Sequence, residues 1–324
     1  MSNLQDKYVN PLTDFGFKRL FGTEPNKNLL IDFLNQILPE RHQIRDLTYA
    51  RNEQVSDGQL DRKAIFDLHC TSESGERFIV ELQKVKQKFF KDRSVYYASF
   101  PIRAQAVRGD WDFELQAVYT VGILDFTFEE HENDPQFLHI VELKDQHCRV
   151  FYDKLKFIYI ELPKFTKTAP HLETQFEKWL FVFRHLADLQ KRPRELRERV
   201  FGQLFRAAEI ANFTPKERLA YEDSLKYYRD LKNAMNTYLE EGREAGLEEG
   251  RRLGLEEGWK QGKQQGLEEG KQQGLEEGKQ QGLEEGRKKA SLRVAVSLIA
   301  TGMATREIAK HTGLDEAKID ALRP

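Results

Sequence analysis

The sequence predicts an α/β protein: a mixed β-sheet flanked by helices, then an α-helical region, a glycine-rich repeat and a small helical tail. Three observations carry that prediction. Between Leu47 and Leu162, runs with apolar residues at alternate positions are interleaved with runs of helical period. Helix, strands, helix, strands describe a mixed sheet rather than a bundle. Beyond Pro163 the apolar residues recur at helical spacing, and from Gly242 to Gly286 a glycine falls at every fourth position.

Composition narrows the function. At 324 residues the chain is long enough for one large domain and something smaller. A formal net charge of −2 excludes a globally basic nucleic-acid binder, so any DNA contact must come from a local patch. Cys70 and Cys148 form no disulfide framework and no CxxC, which fits a reducing, cytoplasmic setting. The eight histidines show no metal-ligand spacing along the sequence, so a zinc site is not expected. The start, MSNLQDKYVN, lacks the regions of a signal peptide, and no apolar run reaches membrane-span length.

Taken in order, TDFGFKRLFGTEPNKNLLIDFLNQIL reads as two helices split by Gly22 and Pro25. Thr13 or Asp14 caps the first, and Asn26 caps the second. Phe17, Leu20 and Phe21, then Leu29, Leu30, Phe33, Leu34 and Ile37, form the buried stripes. Asp14 and Lys18 have the helical spacing to share a face, although a capping role for Asp14 fits equally. A strand is expected between Leu47 and Val55, followed by the polar turn SDGQLDRK containing Asp61, Arg62 and Lys63.

The stretch Ala64–Lys84 reads as a β-hairpin. Ala64, Phe66, Leu68 and Cys70 face one way, and Ile65, Asp67 and His69 the other; Phe78, Val80 and Leu82 oppose Ile79, Glu81 and Gln83. With Ser72 paired to Glu76 and Gly75 left-handed, Cys70 stands against Phe78 and Asp67 against Glu81. Like charges directly opposite are destabilising. A divalent cation between them is the simplest compensation, and Mg²⁺ is held by such carboxylates together with water and substrate phosphate. A half-exposed hairpin that happens to carry Asp and Glu outward fits the same alternation.

Directly after Gln83 come Lys84, Lys86, Lys88, Lys91 and Arg93, interleaved with Phe89 and Phe90. This cluster is expected to grip DNA phosphates, although a solvated helix start has the same composition. A helix from Ser94 to Val107 follows, with Pro101 expected to kink or end it. Strands are then expected in LQAVYTVGILDFTF, FLHIVEL, HCRVFYD and FIYIEL. Three amphipathic segments follow, the last opening on Thr214, Pro215 and Glu217 as a capping box. Trp179, Phe181, Phe183 and Phe205 read as core aromatics rather than a base-stacking platform.

In the repeat, each glycine costs a helix up to about 1 kcal/mol relative to alanine. The ion pairs Glu268–Lys271 and Glu276–Lys279 return only about 0.2–0.5 kcal/mol each. A period of four drifts by about 40° per repeat, which excludes a heptad zipper. The expectation is a frayed or conditionally helical spacer, up to roughly 68 Å if fully helical, with self-association through it as a minor alternative. In the tail, Gly302 ends one helix, Thr305 caps a second, and Thr312-Gly313-Leu314 turns into a third near Asp315. That pattern describes a helix-turn-helix, or equally a small oligomerisation knob, because few basic residues lie on the final helix.

The stretches TDFGFKRLFG, FLNQIL, FDLHC with FIVELQK, RSVYY, and IELPKF with the tryptophan after it together resemble the Rpn family of recombination-promoting nucleases and transposase-related proteins, within the PD-(D/E)XK superfamily. They span most of residues 9–180, and the repeat and tail are similar to the C-terminal ends of such proteins. The resemblance implies a restriction-endonuclease-like core and Mg²⁺-dependent DNA cleavage, with Mn²⁺ able to substitute. It implies metal ligation by Asp67 and Glu81 and, more weakly, an acidic role for Asp14. Gln83 stands where the superfamily pattern has the lysine of E-x-K. Lys84 is expected on the other face of the strand, which leaves Lys18 or Lys86 to reach in.

The expected organisation is a nuclease-like core over 1–165, helices packed on or following it over 166–241, a repeat spacer over 242–289 and a helical tail over 290–324. The expected activity is a DNA endonuclease promoting recombination or mobile-element activity, in which Gln83 positions the attacking water. A homodimer or higher homo-oligomer would suit paired cuts, and no membrane or small-molecule cofactor is implied. The alternative is a catalytically weak or inactive DNA-binding or regulatory module on the same fold.

Overall fold

The computed structural model describes residues 6–39, 42–50, 53–54, 64–65, 67–106 and 112–323. The expected SDGQLDRK turn with Asp61, Arg62 and Lys63, as well as Phe66 and Val107, lies outside the described residues. The chain divides into two compact units, Met1–Leu239 and Glu240–Pro324.

The first unit is built on a six-stranded sheet. Its strands are β1 (Leu47–Tyr49), β4 (Leu68–Ser72), β5 (Arg77–Gln83), β6 (Val118–Leu124), β7 (Leu138–Lys144) and β8 (Val150–Glu161), in the spatial order β1-β4-β5-β6-β8-β7. β5, β6 and β8 run parallel, and the other pairings are antiparallel. A separate two-residue ladder joins β2 (Glu53–Gln54) to β3 (Ala64–Ile65). Ala64 and Ile65 therefore pair away from the hairpin, which begins at Leu68. The segments HCRVFYD and FIYIEL form one strand rather than two: β8 is continuous, and its register against β7 shifts after Glu142, where the extra residues lie on β8 between Tyr152 and Lys156.

The hairpin register follows the sequence expectation. Cys70 opposes Phe78, Ser72 N–H donates to Glu76 O at 2.9 Å, and Gly75 has φ +93°. The hairpin is not half-exposed. β5 lies between β4 and β6 in the middle of the sheet, and helices cover both of its faces, with Phe78, Val80 and Leu82 in the main core and Ile79 against Phe100.

One face of the sheet carries the main core. Here α1 (Asp14–Phe21), α2 (Lys27–Asn35), α4 (Gln175–His185), α5 (Arg199–Ala208) and the first turns of α6 (Pro215–Ala300) pack on Leu68, Cys70, Phe78, Val80 and Leu82. Phe21, Phe33, Trp179 and Phe183 meet ring against ring, with centroids 5.2–6.2 Å apart. Trp179 Nε1 donates to Asp32 Oδ1 at 2.7 Å, so its polar edge is satisfied. α3 (Phe90–Arg103) covers the other face, where Ile79 meets Phe100 and Phe90 packs with Leu124, Phe128 and Tyr159. Pro101 lies inside α3 without ending it.

Capping fixes how these helices enter. Thr13 caps α1 by accepting from Gly16 N–H at 3.0 Å. Asn26 does not cap α2, because its side-chain amide donates back to Arg19 O at 3.0 Å. The box at α6 is formed, with Thr214 N–H donating to Glu217 Oε2 at 2.9 Å and Glu217 N–H to Thr214 Oγ1 at 3.3 Å. An equivalent box, Thr174 with Glu177, opens α4.

Within the second unit, residues 242–286 are helical and exposed, and a Cβ added at any of the repeat glycines would meet nothing within 4 Å. Ion pairs along it fall at Arg252–Glu249, Lys260–Glu256 and Lys288–Glu284 rather than at Glu268–Lys271 or Glu276–Lys279. At its end Ala295, Ile308 and Ile319 form a small core joining α6, α7 (Thr305–Thr312) and α8 (Glu316–Asp320). Gly302 and Gly313 have φ +83° and +67°. Thr305 does not cap α7; its hydroxyl donates to Asp320 Oδ1 at 2.8 Å.

Candidate active site

The polar centre of the first unit lies where β4 begins and β5 ends. Continuing the hairpin register by one pair beyond Leu68 and Val80 sets Asp67 against Glu81. Two backbone groups lock the carboxylates. Leu82 N–H donates to Asp67 Oδ2 at 2.7 Å, and Asp67 N–H donates toward the Glu81 carboxylate. Both acids are pushed upward. For Asp67 burial is the main cause, opposed by the Leu82 N–H and augmented by Asp14. For Glu81 burial again leads, with Asp67 adding to it, and the acid is pushed up to about 8. Glu81 Oε1 is buried and finds no hydrogen-bond partner among the described residues. A buried oxygen without a partner beside a second acid is a donor set suited to a hard divalent cation.

The surrounding cations come from three elements. Arg93, on α3, sends Nη2 to Gln83 Oε1 at 2.5 Å and to within 4.0 Å of Glu81 Oε2, while Nη1 donates to Gln87 Oε1 at 2.5 Å. Its guanidinium lies over the Phe90 and Tyr97 rings, 5.3 and 5.6 Å from their centroids. Gln83 is buried and tied at both ends, since its Nε2 also donates to Val85 O at 2.8 Å. Lys18, on α1, pairs with Asp14 at 2.8 Å and lowers the acids of both Asp67 and Glu81.

Lys84 lies past the end of β5, so strand alternation no longer directs it. Contrary to the expectation from alternation, it faces Asp14 and Asp67, with its ammonium 5.6 Å from the Tyr227 ring centroid. Burial is the main cause of its lowered pKa.

α1 is held at this place by the start of α6. Arg19 pairs with Glu217 at 2.6 Å, Asn10 N–H donates to the Tyr221 hydroxyl at 3.0 Å, and Phe15 N–H donates to Ser224 Oγ at 3.1 Å. Asp14 and Lys18 thus reach the pair because the backbone of the preceding loop and α1 is anchored to α6.

The basic run does not act as one patch. Lys86 pairs with Glu129 and Lys91 with Glu130, both supplied by the turn after β6. Lys86 is therefore not a substitute for the missing lysine. Lys88 lies over the neighbouring Phe89 ring, 5.5 Å from its centroid, and Arg93 turns inward. Tyr97 belongs to the site as well; burial raises its pKa, with Arg93 opposing and Glu81 and Asp67 adding to the effect. Its signal in the sequence was the four-residue spacing from Arg93, one turn along the same helix face.

Comparison with known proteins gives one family. A family model described as PD-(D/E)XK nuclease family transposase matches residues 11–238, a span that holds every side chain of this site. No curated protein and no solved structure matches the chain.

Proposed function

The chain belongs to the PD-(D/E)XK nuclease family transposases, and from that premise we propose that it is a Mg²⁺-dependent DNA endonuclease serving recombination or mobile-element activity. The observation that carries this reading is the buried Asp67–Glu81 pair with the unpartnered Glu81 Oε1. Asp67 and Glu81 would hold the ion, with Mn²⁺ able to replace Mg²⁺. When bound, such an ion supplies charge neutralisation at phosphate oxygen and a more acidic water.

The chain's own residues do the rest. Arg93 takes the part of the superfamily's lysine from a different element, placing a fixed positive charge beside Glu81 where charge develops on a scissile phosphate. Gln83 positions Arg93 through its Oε1, and its second amide hydrogen orients the attacking water. Lys18 and Lys84 receive the adjoining phosphates, and Asp14 sets the position of Lys18. Of the remaining basic residues, Lys88 is exposed and bridges no carboxylate among the described residues, while Lys86 and Lys91 must exchange Glu129 and Glu130 for phosphate. A salt-sensitive DNA interaction follows.

The test is nicking of supercoiled plasmid in Mg²⁺, Mn²⁺, Ca²⁺ or EDTA by the wild type and by Asp67→Ala and Glu81→Ala. Cleavage in Mg²⁺ or Mn²⁺ that both substitutions abolish is the expected result. Cleavage untouched by both would refute the assignment. Salt-dependent DNA binding without cleavage would instead identify a regulatory module on a nuclease fold.

A further inference from the structure

A second group of donor atoms converges at the far end of β8. Glu161 closes that strand and is fully buried. The parallel ladder sets it beside Leu124, which itself stands beside Gln83, so about 10 Å of sheet separates the two positions at the usual strand spacing. His139 comes from β7, and His131 from the 3-10 turn Glu129–His131. His131 Nδ1 lies 2.9 Å from Glu161 Oε1, and His139 Nε2 lies 3.4 Å from Oε2. The two imidazoles stack with centroids 3.9 Å apart, inclined by 19°.

The surroundings are those of a site that attracts cations. A buried carboxylate needs compensation, and here it comes from Phe128 N–H at 2.9 Å from Oε1 and Lys164 Nζ at 2.6 Å from Oε2. His139 Nε2 is buried and makes no hydrogen bond of acceptable geometry among the described residues. One ligand atom from each of the three residues falls within 4.8 Å of the others. Tetrahedral ligands at about 2.0–2.2 Å from zinc stand about 3.4 Å apart, which lies inside the range of these separations.

We propose that His131, His139 and Glu161 form a second metal site, separate from the Asp67–Glu81 pair, for a divalent ion of the Zn²⁺ class. Two imidazole nitrogens and one carboxylate oxygen select zinc-like ions over Mg²⁺. Water takes the fourth position, since the His131 and His139 side chains keep 24% and 12% exposure. Binding takes the His131 tautomer that carries its proton on Nε2 and leaves Nδ1 free, and it moves the Lys164 ammonium from Glu161 to Gln136 O, already 3.1 Å away. The ion would pin edge strand β7 and the Glu129–His131 turn onto β8, and it is this same turn whose Glu129 and Glu130 pair with Lys86 and Lys91.

The test uses the full chain carrying Asp67→Asn and Glu81→Gln, so that the carboxylate pair does not compete. Equilibrium dialysis against Zn²⁺ should give one ion per chain, and Co²⁺ should give the visible absorption of a four-coordinate nitrogen–oxygen site. Adding His131→Gln or His139→Gln should abolish both signals, and Lys164→Gln should tighten Zn²⁺ binding at least tenfold by removing the competing ammonium. The gain expected from Lys164→Gln does not depend on the histidine variants folding. The proposal is overturned if Zn²⁺ uptake survives both histidine substitutions, or if neither the parent nor Lys164→Gln takes up the ion.

Discussion

At the Asp67–Glu81 pair two acids share one buried place, and burial disfavours the charged form of each. Glu81 ionises at about 8 in the folded chain against an ordinary value of 4.5. The folded state therefore holds a proton that the unfolded state has already lost in that interval. Stability of the metal-free protein should fall as pH rises from 4.5 to about 8 and then level off, by an amount on the order of a few kcal/mol. Chemical denaturation across that range checks the slope; Glu81→Gln should flatten it, and Mg²⁺ should raise stability most at its alkaline end. Arg93 makes the second residue-scale prediction. Arg93→Ala should lower the cleavage rate by about 100-fold, on the scale of removing one preorganised donor, while Arg93→Lys keeps part of it. A rate unchanged in Arg93→Ala would remove this residue from the catalytic centre.

Turns and caps decide whether the elements bring those residues together. Gly75 has φ +93°, and a Cβ there would stand 3.3 Å from the Gln116 side chain. Gly75→Ala should cost more than about 1 kcal/mol in denaturant unfolding and disturb the register that sets Asp67 against Glu81. Thr214→Ala removes the α6 cap, at a cost of about 1 kcal/mol. Because α6 also anchors α1 through Glu217, Tyr221 and Ser224, cleavage should decline in this variant while the metal affinity of the pair is retained. Equal losses in both would mean that α1 is not a separate support of the site.

At the scale of the whole molecule, the family match ends at residue 238 and the first compact unit at Leu239. A chain ending at Leu239 should fold cooperatively and retain plasmid nicking, with circular dichroism and the nicking assay as the readouts. In the full chain the repeat should melt first. Its twelve glycines weigh against the helix by up to about 12 kcal/mol in total, and among the described residues nothing packs on them. Far-ultraviolet ellipticity should decline on warming before the near-ultraviolet signal of the aromatic core changes. Coincident transitions would show that the repeat is held by partners absent from its own surface.

The sequence alone determined what repeats locally. Period-two alternation and the left-handed requirement at Gly75 set the hairpin register, the Thr214–Glu217 spacing set the α6 cap, and helical spacing marked the Trp179 and Phe183 core. Each depends on neighbours a few residues apart. Only the tertiary structure decided which cations lie beside the acidic pair. Arg93 reads as one member of a basic run until α3 turns it onto Gln83, and Lys86 and Lys91 read as free until the turn after β6 supplies Glu129 and Glu130. Scattered along the chain, His131, His139 and Glu161 meet because two neighbouring strands and one turn bring them to the same end of the sheet. Charge and donor atoms act through space over a few ångströms, and sequence spacing does not report that distance.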